Sequence, residues 1–444
     1  MTHADAESKD AMNDAAPQSD FDTPVAALVD ASTRAADLKR YVLVTAAYWA
    51  FTLTDGALRM LVLLHFHDLG YTPIQLAFLF VLYECCGVVT NLVGGWLGSR
   101  FGLKLTLFAG LAIQVAALMM LSAVQPTWVA WISIAYVMAA QAFSGIAKDL
   151  TKMSSKSAVK LIAPQGSESG LFKWVAILTG SKNALKGVGF FVGGVLLGWL
   201  GFTHALWVMA GSLLVVLIAA VVLLEGDFGK AKARVTMKHL FSKTREINLL
   251  AGARVFLFGS RDVWFVVALP VFLTEALGWS FAGVGGFMAA WVIGYGIVQA
   301  SAPRFVRKAG ARQASRAGVL WGVALAAITA AMATAVHFDF YTAAVVLTGL
   351  AIFGGAFAVN SSIHSYLILA FTDADKVALN VGFYYMANAI GRLAGTILSG
   401  VVYLAFGLEG CLWVSAAMVA AAVSILAPLG RSSTPQIDAT ARSS

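Results

Sequence analysis

Between residues 41 and 428 the chain repeats one pattern twelve times: an apolar run long enough to cross a bilayer, then a short polar break. A crossing helix needs about 20 such residues. In hydrocarbon every backbone N–H and C=O must bond within the protein, so runs of this length fold as helices. The expected spans are 41–66, 74–98, 105–124, 127–147, 171–200, 203–224, 247–273, 282–302, 314–336, 340–371, 377–406 and 408–428. Hydrophobic residues make up 59% of the 444 and charged residues only 12%, more apolar surface than a soluble globule can hide. The expected fold class is an all-α polytopic membrane protein.

The breaks alternate in charge. Arg34, Lys39 and Arg40 precede the first span, Arg100 and Lys104 follow the second, and Lys152, Lys156 and Lys160 follow the fourth. Six basic residues lie from Lys230 to Arg245, and Arg304, Arg307, Lys308 and Arg312 follow the eighth span. The intervening breaks hold residues such as His67, Asp68, His204, Glu275 and Glu409, with no Lys or Arg. Basic residues gather in cytoplasmic loops, which places both termini in the cytoplasm. The net charge of +8 therefore reflects topology and implies no nucleic-acid partner. The expected division is a disordered tail at 1–38, a six-helix half at 39–225, a basic linker at 226–246, a second half at 247–430 and a tail at 431–444.

The two halves are related in sequence. Leu69-Gly70-Tyr71-Thr72 returns 208 residues later as Leu277-Gly278-Trp279-Ser280. At an offset of 206, Gly189, Gly194, Gly201 and Leu206-Trp207-Val208 return as Gly395, Gly400, Gly407 and Leu412-Trp413-Val414, which sets Lys186 opposite Arg392. Six spans, a basic linker and six related spans resemble the major facilitator fold. That resemblance implies twelve transmembrane helices in two halves, with substrate held near the midplane between them.

Charge inside the spans marks a pathway. A charged side chain at mid-bilayer costs roughly 2.5–3.5 kcal/mol on insertion scales, so it faces a bundle interior or a wet cavity. Six basic residues lie away from the membrane edges, Arg59, Lys182, Lys186, Arg254, Arg261 and Arg392, against three acids, Asp55, Glu84 and Asp262. If each acid pairs once, three cations are left over, and a small anionic substrate fits that surplus. Lys182 and Lys186 stand four apart on one helix face, within the glycine-rich stretch Gly180–Gly201. Arg59 and Arg261, in the first spans of the two halves, are suited to grip phosphate-like oxygens bidentately. Asp55 and Arg59, four apart, are spaced to pair with each other. Arg261 and Asp262 are adjacent and point about 100° apart, so no simple pair between them is expected. Asp55, Glu84 and Asp262 are candidates to exchange ion-pair partners or protons, with Glu84 read first as counter-ion to a lysine. Arg254 lies near the start of span seven, where it can snorkel. Thr54, Ser181, Asn183, Asn380 and Asn388 either line the path or hydrogen-bond between helices.

Gly95, Arg100, Gly102 and Lys104 form an expected cytoplasmic gate that resembles the major facilitator loop signature, with Ser99 where an acid is usual. Gly189-Phe190-Phe191-Val192-Gly193-Gly194 resembles the motif of export-type members, with Phe190 where proline is usual. No cofactor and no metal are expected. Cys85 and Cys86 diverge around a helix and read as packing, His65 and His67 lie at the solvated outer end of span one, and neither HExxH nor GxxxxGK[ST] occurs. Asn360-Ser361-Ser362 has the glycosylation spelling but lies inside a span. These features point away from an enzyme.

Four blocks carry a closer likeness: Tyr48–His67 (YWAFTLTDGALRMLVLLHFH), Gly145–Lys160 (GIAKDLTKMSSKSAVK), Gly180–Phe191 (GSKNALKGVGFF) and Arg254–Pro270 (RVFLFGSRDVWFVVALP). Together they resemble the bacterial organoarsenical efflux permeases of the ArsJ type, from about Tyr41 to Pro428. The resemblance implies an inner-membrane exporter of 1-arseno-3-phosphoglycerate. It also implies functional coupling to a glyceraldehyde-3-phosphate dehydrogenase that uses arsenate in place of phosphate, without required direct contact. A monomer is expected. Two alternatives stay open: a major facilitator transporter of an ordinary organophosphate, and a membrane sensor that binds the anion without moving it.

Overall fold

The computed structural model describes residues 22–101, 103–162, 168–224, 244–301, 310–372 and 377–431. These form twelve helices: α1 (Asp22–Asp68), α2 (Pro73–Phe78), α3 (Val81–Phe101), α4 (Leu103–Ser122), α5 (Ala130–Ile162), α6 (Glu168–Leu223), α7 (Arg245–Phe265), α8 (Ala268–Glu275), α9 (Phe281–Ser301), α10 (Ala311–His337), α11 (Thr342–Ala370) and α12 (Val377–Arg431). Among the described residues no strand is present. Nine helical segments there are long and apolar enough to cross a membrane. Two of them, Ser181–Leu223 and Asn380–Gly430, run 43 and 51 residues and cross twice. Each turns back at a glycine with positive φ, Gly201 at 71° and Gly407 at 61°, as the shared register of those glycines requires. With α1, the architecture is consistent with twelve passes.

Three expected boundaries change. α1 begins at Asp22, inside the segment expected to be a disordered tail; its alanines favour helix before the first apolar residue of the span. α5 runs on to Ile162, so Lys148, Asp149 and Lys152 stand on a helix and not in a loop. Span seven breaks into α7 and α8 at Val266–Val267, because Pro270 has no N–H for the Val266 carbonyl and its ring crowds that carbonyl.

Close helix crossings repeat the sequence symmetry. A Cβ on Gly194 of α6 would lie 2.3 Å from the Phe281 carbonyl oxygen at the start of α9. A Cβ on Gly400 of α12 would lie 2.6 Å from the Pro73 carbonyl oxygen at the start of α2. Each half thus presses its long bent helix against the other half. Only glycine permits that approach.

The apolar core shows where the halves meet and where they part. Towards the face carrying Gly201 and Gly407, one continuous buried cluster joins Leu61, Phe66 and Leu76 of the first half to Leu269, Leu273 and Leu408 of the second. Towards the face where α1 and α7 begin, the core splits. Tyr41, Val44 and Leu107 pack within the first half, and Ile247, Leu250 and Leu367 pack within the second. A cavity lies in the gap between the separated cores.

Candidate functional site

The cavity has a volume of about 230 Å³ and takes walls from both halves. Pockets for drug-sized ligands run from roughly 300 Å³ upward, so this one suits a compact solute. Arg59, Lys182, Lys186, Asn183, Arg261, Asn388 and Arg392 all line it, together with Glu84 and Asp262. Lys148, Lys152 and Arg254 line it as well. Eight lysines and arginines therefore face three carboxylates, Glu84, Asp149 and Asp262. That imbalance is larger than the spans alone suggested.

The acids are already engaged. Glu84, 0% exposed, accepts from Arg59 Nη2 at 2.7 Å and from Arg392 Nη2 at 2.5 Å, both at Oε1. Its counter-ions are thus arginines, where a lysine was expected. Asp262 Oδ1 accepts from Arg261 Nε at 2.6 Å, and its Oδ2 lies 3.5 Å from Arg392 Nε. The expectation that Arg261 and Asp262 would not pair is overturned: the arginine side chain is long enough to fold back onto its neighbour. Asp55 and Arg59, spaced to pair, do not. Asp55 Oδ1 accepts from Tyr83 Oη at 2.7 Å, while the Arg59 guanidinium turns to Glu84 over the rings of Phe80 and Tyr83, 5.1 and 5.3 Å from their centres. Asp55 does not line the cavity.

Lys186 is different. Its Nζ lies 5.6 Å from the centre of the Phe190 ring, and it makes no hydrogen bond or ion pair to any described residue. An ammonium in that state is stable at membrane depth when water or an anion faces it. Lys182, one helical turn earlier, lines the same cavity. Asn183 Nδ2 donates to Gln299 Oε1 at 3.1 Å, tying α6 to α9. Asn388 Oδ1 is buried without a donor, an acceptor available to a solute hydroxyl or water.

The cluster on α5 was missed because those residues read as a loop. Lys152 Nζ donates to Asn91 Oδ1 at 2.6 Å and to Asp149 Oδ1 at 3.0 Å, and Thr90 donates to Asp149 Oδ2. Lys148 Nζ sits 3.9 Å from the Tyr83 ring centre. The lysine spacing of 148 and 152 was the available signal, four apart like 182 and 186. Other polar residues are structural. Thr54 Oγ1 donates to the Phe51 carbonyl, Ser181 Oγ accepts from Trp49 Nε1, and Asn380 Nδ2 donates to Thr372 Oγ1. His65 stacks on Phe202 at 4.0 Å, and His67 Nε2 lies 3.9 Å from Glu275 Oε1, a contact between the halves at the closed face. Of the expected gate, Gly102, the surroundings of Gly95 and the side chain of Arg100 lie outside what is described. Lys104 Nζ rests 5.7 Å from the Phe108 ring centre.

Comparison with known proteins agrees with this architecture. A crystal structure of a bacterial homologue of the iron transporter ferroportin in its outward-facing state superposes with a TM-score of 0.64 at 14% identity, covering 88% of this chain and 99% of that one. The inward-facing state of a bacterial ferroportin homologue gives 0.64 at 16% identity, covering 89% and 99%. At these identities the likeness concerns the fold alone. No curated protein sequence matches the chain. The sequence profile of the Major Facilitator Superfamily matches residues 44–268, from the first span through the whole first half into α8. Over half of the 444 residues lie within that match, and the chain accordingly belongs to the Major Facilitator Superfamily of membrane transporters.

Proposed function

We propose that this transporter exports 1-arseno-3-phosphoglycerate from the bacterial cytoplasm across the inner membrane. The observation that carries the anionic cargo is the charge imbalance of the cavity, eight cations against three carboxylates, with Lys186 uncompensated among the described residues. The four blocks that resemble organoarsenical permeases supply the cargo's identity. In this reading the face where α1 and α7 begin is cytoplasmic, so the gap between the separated cores receives cargo from inside the cell. Lys182, Lys186, Arg261 and Arg392 hold its oxyanions, Arg59 assists, and Asn183 and Asn388 orient it. Asp55, Glu84 and Asp262 exchange partners as cargo enters and leaves. Gly95, Arg100, Gly102 and Lys104 gate the cytoplasmic side. The protein acts as a monomer, supplied by a glyceraldehyde-3-phosphate dehydrogenase without direct contact.

Everted membrane vesicles bearing the protein test the reading. They receive glyceraldehyde 3-phosphate, NAD, the dehydrogenase and arsenate, and arsenic inside is measured. Accumulation that requires the dehydrogenase supports the ester as cargo. Absence of accumulation in sealed vesicles containing the protein sinks it. Uptake of 3-phosphoglycerate without arsenic then assigns an ordinary organophosphate, and binding without any uptake assigns a sensor.

A further inference from the structure

Arg254, with Lys148 and Lys152, is one of three cavity cations that the scheme above does not use. It is 3% exposed, yet no carboxylate among the described residues pairs with it. Its Nη1 donates to the carbonyl and hydroxyl oxygens of Ser361 at 3.2 and 3.1 Å, and its Nε is buried without an acceptor. Aromatic faces replace the missing acid: the guanidinium carbon lies 3.9 Å from the centre of Phe258 and 4.7 Å from that of Tyr384. A buried charge normally has an ionic partner. Arg254 lacks one and lines the cavity.

Arg261 stands seven residues further along α7, on the same face and about 10 Å along the axis. Its guanidinium carbon lies 5.1 Å from the same Phe258 ring centre. The two guanidinium carbons are therefore no further apart than 3.9 and 5.1 Å laid end to end, about 9 Å. Phe190 and Phe265, 6.2 Å apart between ring centres, link the Arg261 end to Lys186 on the opposite half. An uncompensated cation thus stands on each half of the cavity wall, Lys186 joined to Arg261 through the Phe190 and Phe265 rings and Arg254 beyond Phe258.

We propose that Arg254 is a second anion anchor, so that the cavity selects solutes with an anionic group at each end of a three-carbon chain. This inference rests on the anion-transport reading above. Six bonds separate the two terminal anion centres in a three-carbon diester, and at about 1.5 Å each in a zigzag they span roughly 7 Å. Two arms from one helix face grip the ends of a solute lying alongside when their spacing is comparable. A one-ended phosphate fills the Lys186 end and leaves Arg254 uncompensated.

Calorimetric titration of the purified full-length protein tests this with two stable probes, glycerol 3-phosphate and propane-1,3-diol bisphosphate. Wild type is expected to bind the two-ended probe at least tenfold tighter. Arg254→Gln is expected to remove that preference while leaving glycerol 3-phosphate binding unchanged, and Arg254→Lys to restore part of it. Lys186→Gln should weaken both probes. Equal affinities in wild type, or equal losses for both probes in Arg254→Gln, would overturn the proposal. If Arg254→Gln does not fold, bisphosphates of two-, three-, four- and five-carbon diols titrated into wild type decide the matter: a maximum at three supports it and a flat series sinks it. Loss of arsenic uptake with the three-carbon preference intact removes only the cargo identity. Arsenic uptake without that preference removes only the second anchor.

Discussion

Arg392 of α12 reaches out of the second half to donate to Glu84 Oε1 of the first at 2.5 Å. Arg59 donates to the same oxygen at 2.7 Å, and Asp262 Oδ2 lies 3.5 Å from Arg392 Nε. Arg59, Glu84, Arg392, Asp262 and Arg261 therefore form one chain of alternating charge through both halves. Glu84 occupies, for these arginines, the place that a phosphate-like oxyanion would take. An internal acid thus bridges the halves, and under the proposed function cargo would compete with it for the same guanidinium groups.

Glu84→Gln tests that competition. Glutamine keeps an oxygen acceptor of the same reach but removes the charge. Phosphate-ester binding to the purified variant is expected to tighten at least tenfold, or about 1.4 kcal/mol. Turnover in vesicles is expected to fall, because no carboxylate returns to displace the cargo. An affinity equal to wild type would show that Glu84 does not compete.

Lys186→Gln and Arg392→Gln should both abolish transport, yet their effects on the fold should differ. Lys186 has no partner among the described residues, so neutralising it removes a charge without breaking a pair. The melting temperature in detergent is expected to stay level or rise. Arg392→Gln takes one of two donors from buried Glu84 and the inter-half ion pair with it. Because Arg59 remains, the loss should be less than the about 3–5 kcal/mol of a fully broken buried pair. Full transport by either variant would remove that residue from the site.

The passes, the two-half symmetry and part of the site are legible from residues alone. Apolar length gave the passes, the 206-residue register gave the symmetric glycines, and Lys186 and Arg392 do face one cavity from opposite halves. Pairing was not legible, because it depends on which helices touch. Asp55 and Arg59 satisfy the spacing for a pair, but Tyr83 and Glu84 on α3 sit closer to where those side chains point. Arg261 and Asp262 violate the spacing and pair nonetheless. Lys148 and Lys152 were hidden by polarity, since a charged helix end and a charged loop share a composition.

Gly193 shows how much the α1–α6 crossing depends on a missing side chain. A Cβ there would lie 2.3 Å from the Ala57 carbonyl oxygen and 2.9 Å from its Cα, and backbone has no rotamer to escape into. Gly193→Val is expected to cost at least about 1–3 kcal/mol and to lower the yield of folded protein in detergent. Gly211→Val is the control, because nothing lies within 4 Å of a Cβ at that position. Equal melting temperatures for the two variants would show that the crossing has slack.

Ser399 stands 206 residues after Gly193, and the second half solves the same contact differently. The break that Pro270 imposes leaves the Val267 and Ala268 N–H groups without helical acceptors. Ser399 Oγ, 0% exposed, accepts from both, at 3.2 and 3.1 Å. Ser399→Ala therefore leaves two buried donors unmet, at about 1–3 kcal/mol each. The variant is expected to melt lower in detergent and to lose amide protection at Val267 and Ala268 in hydrogen exchange. Ser399→Gly would copy the first half's solution and should fare no better, because the first half has no such proline at its equivalent turn and so no orphaned donors to satisfy. Unchanged melting and protection in Ser399→Ala would mean that the α7–α8 break is held by Pro270 and its packing without help from α12.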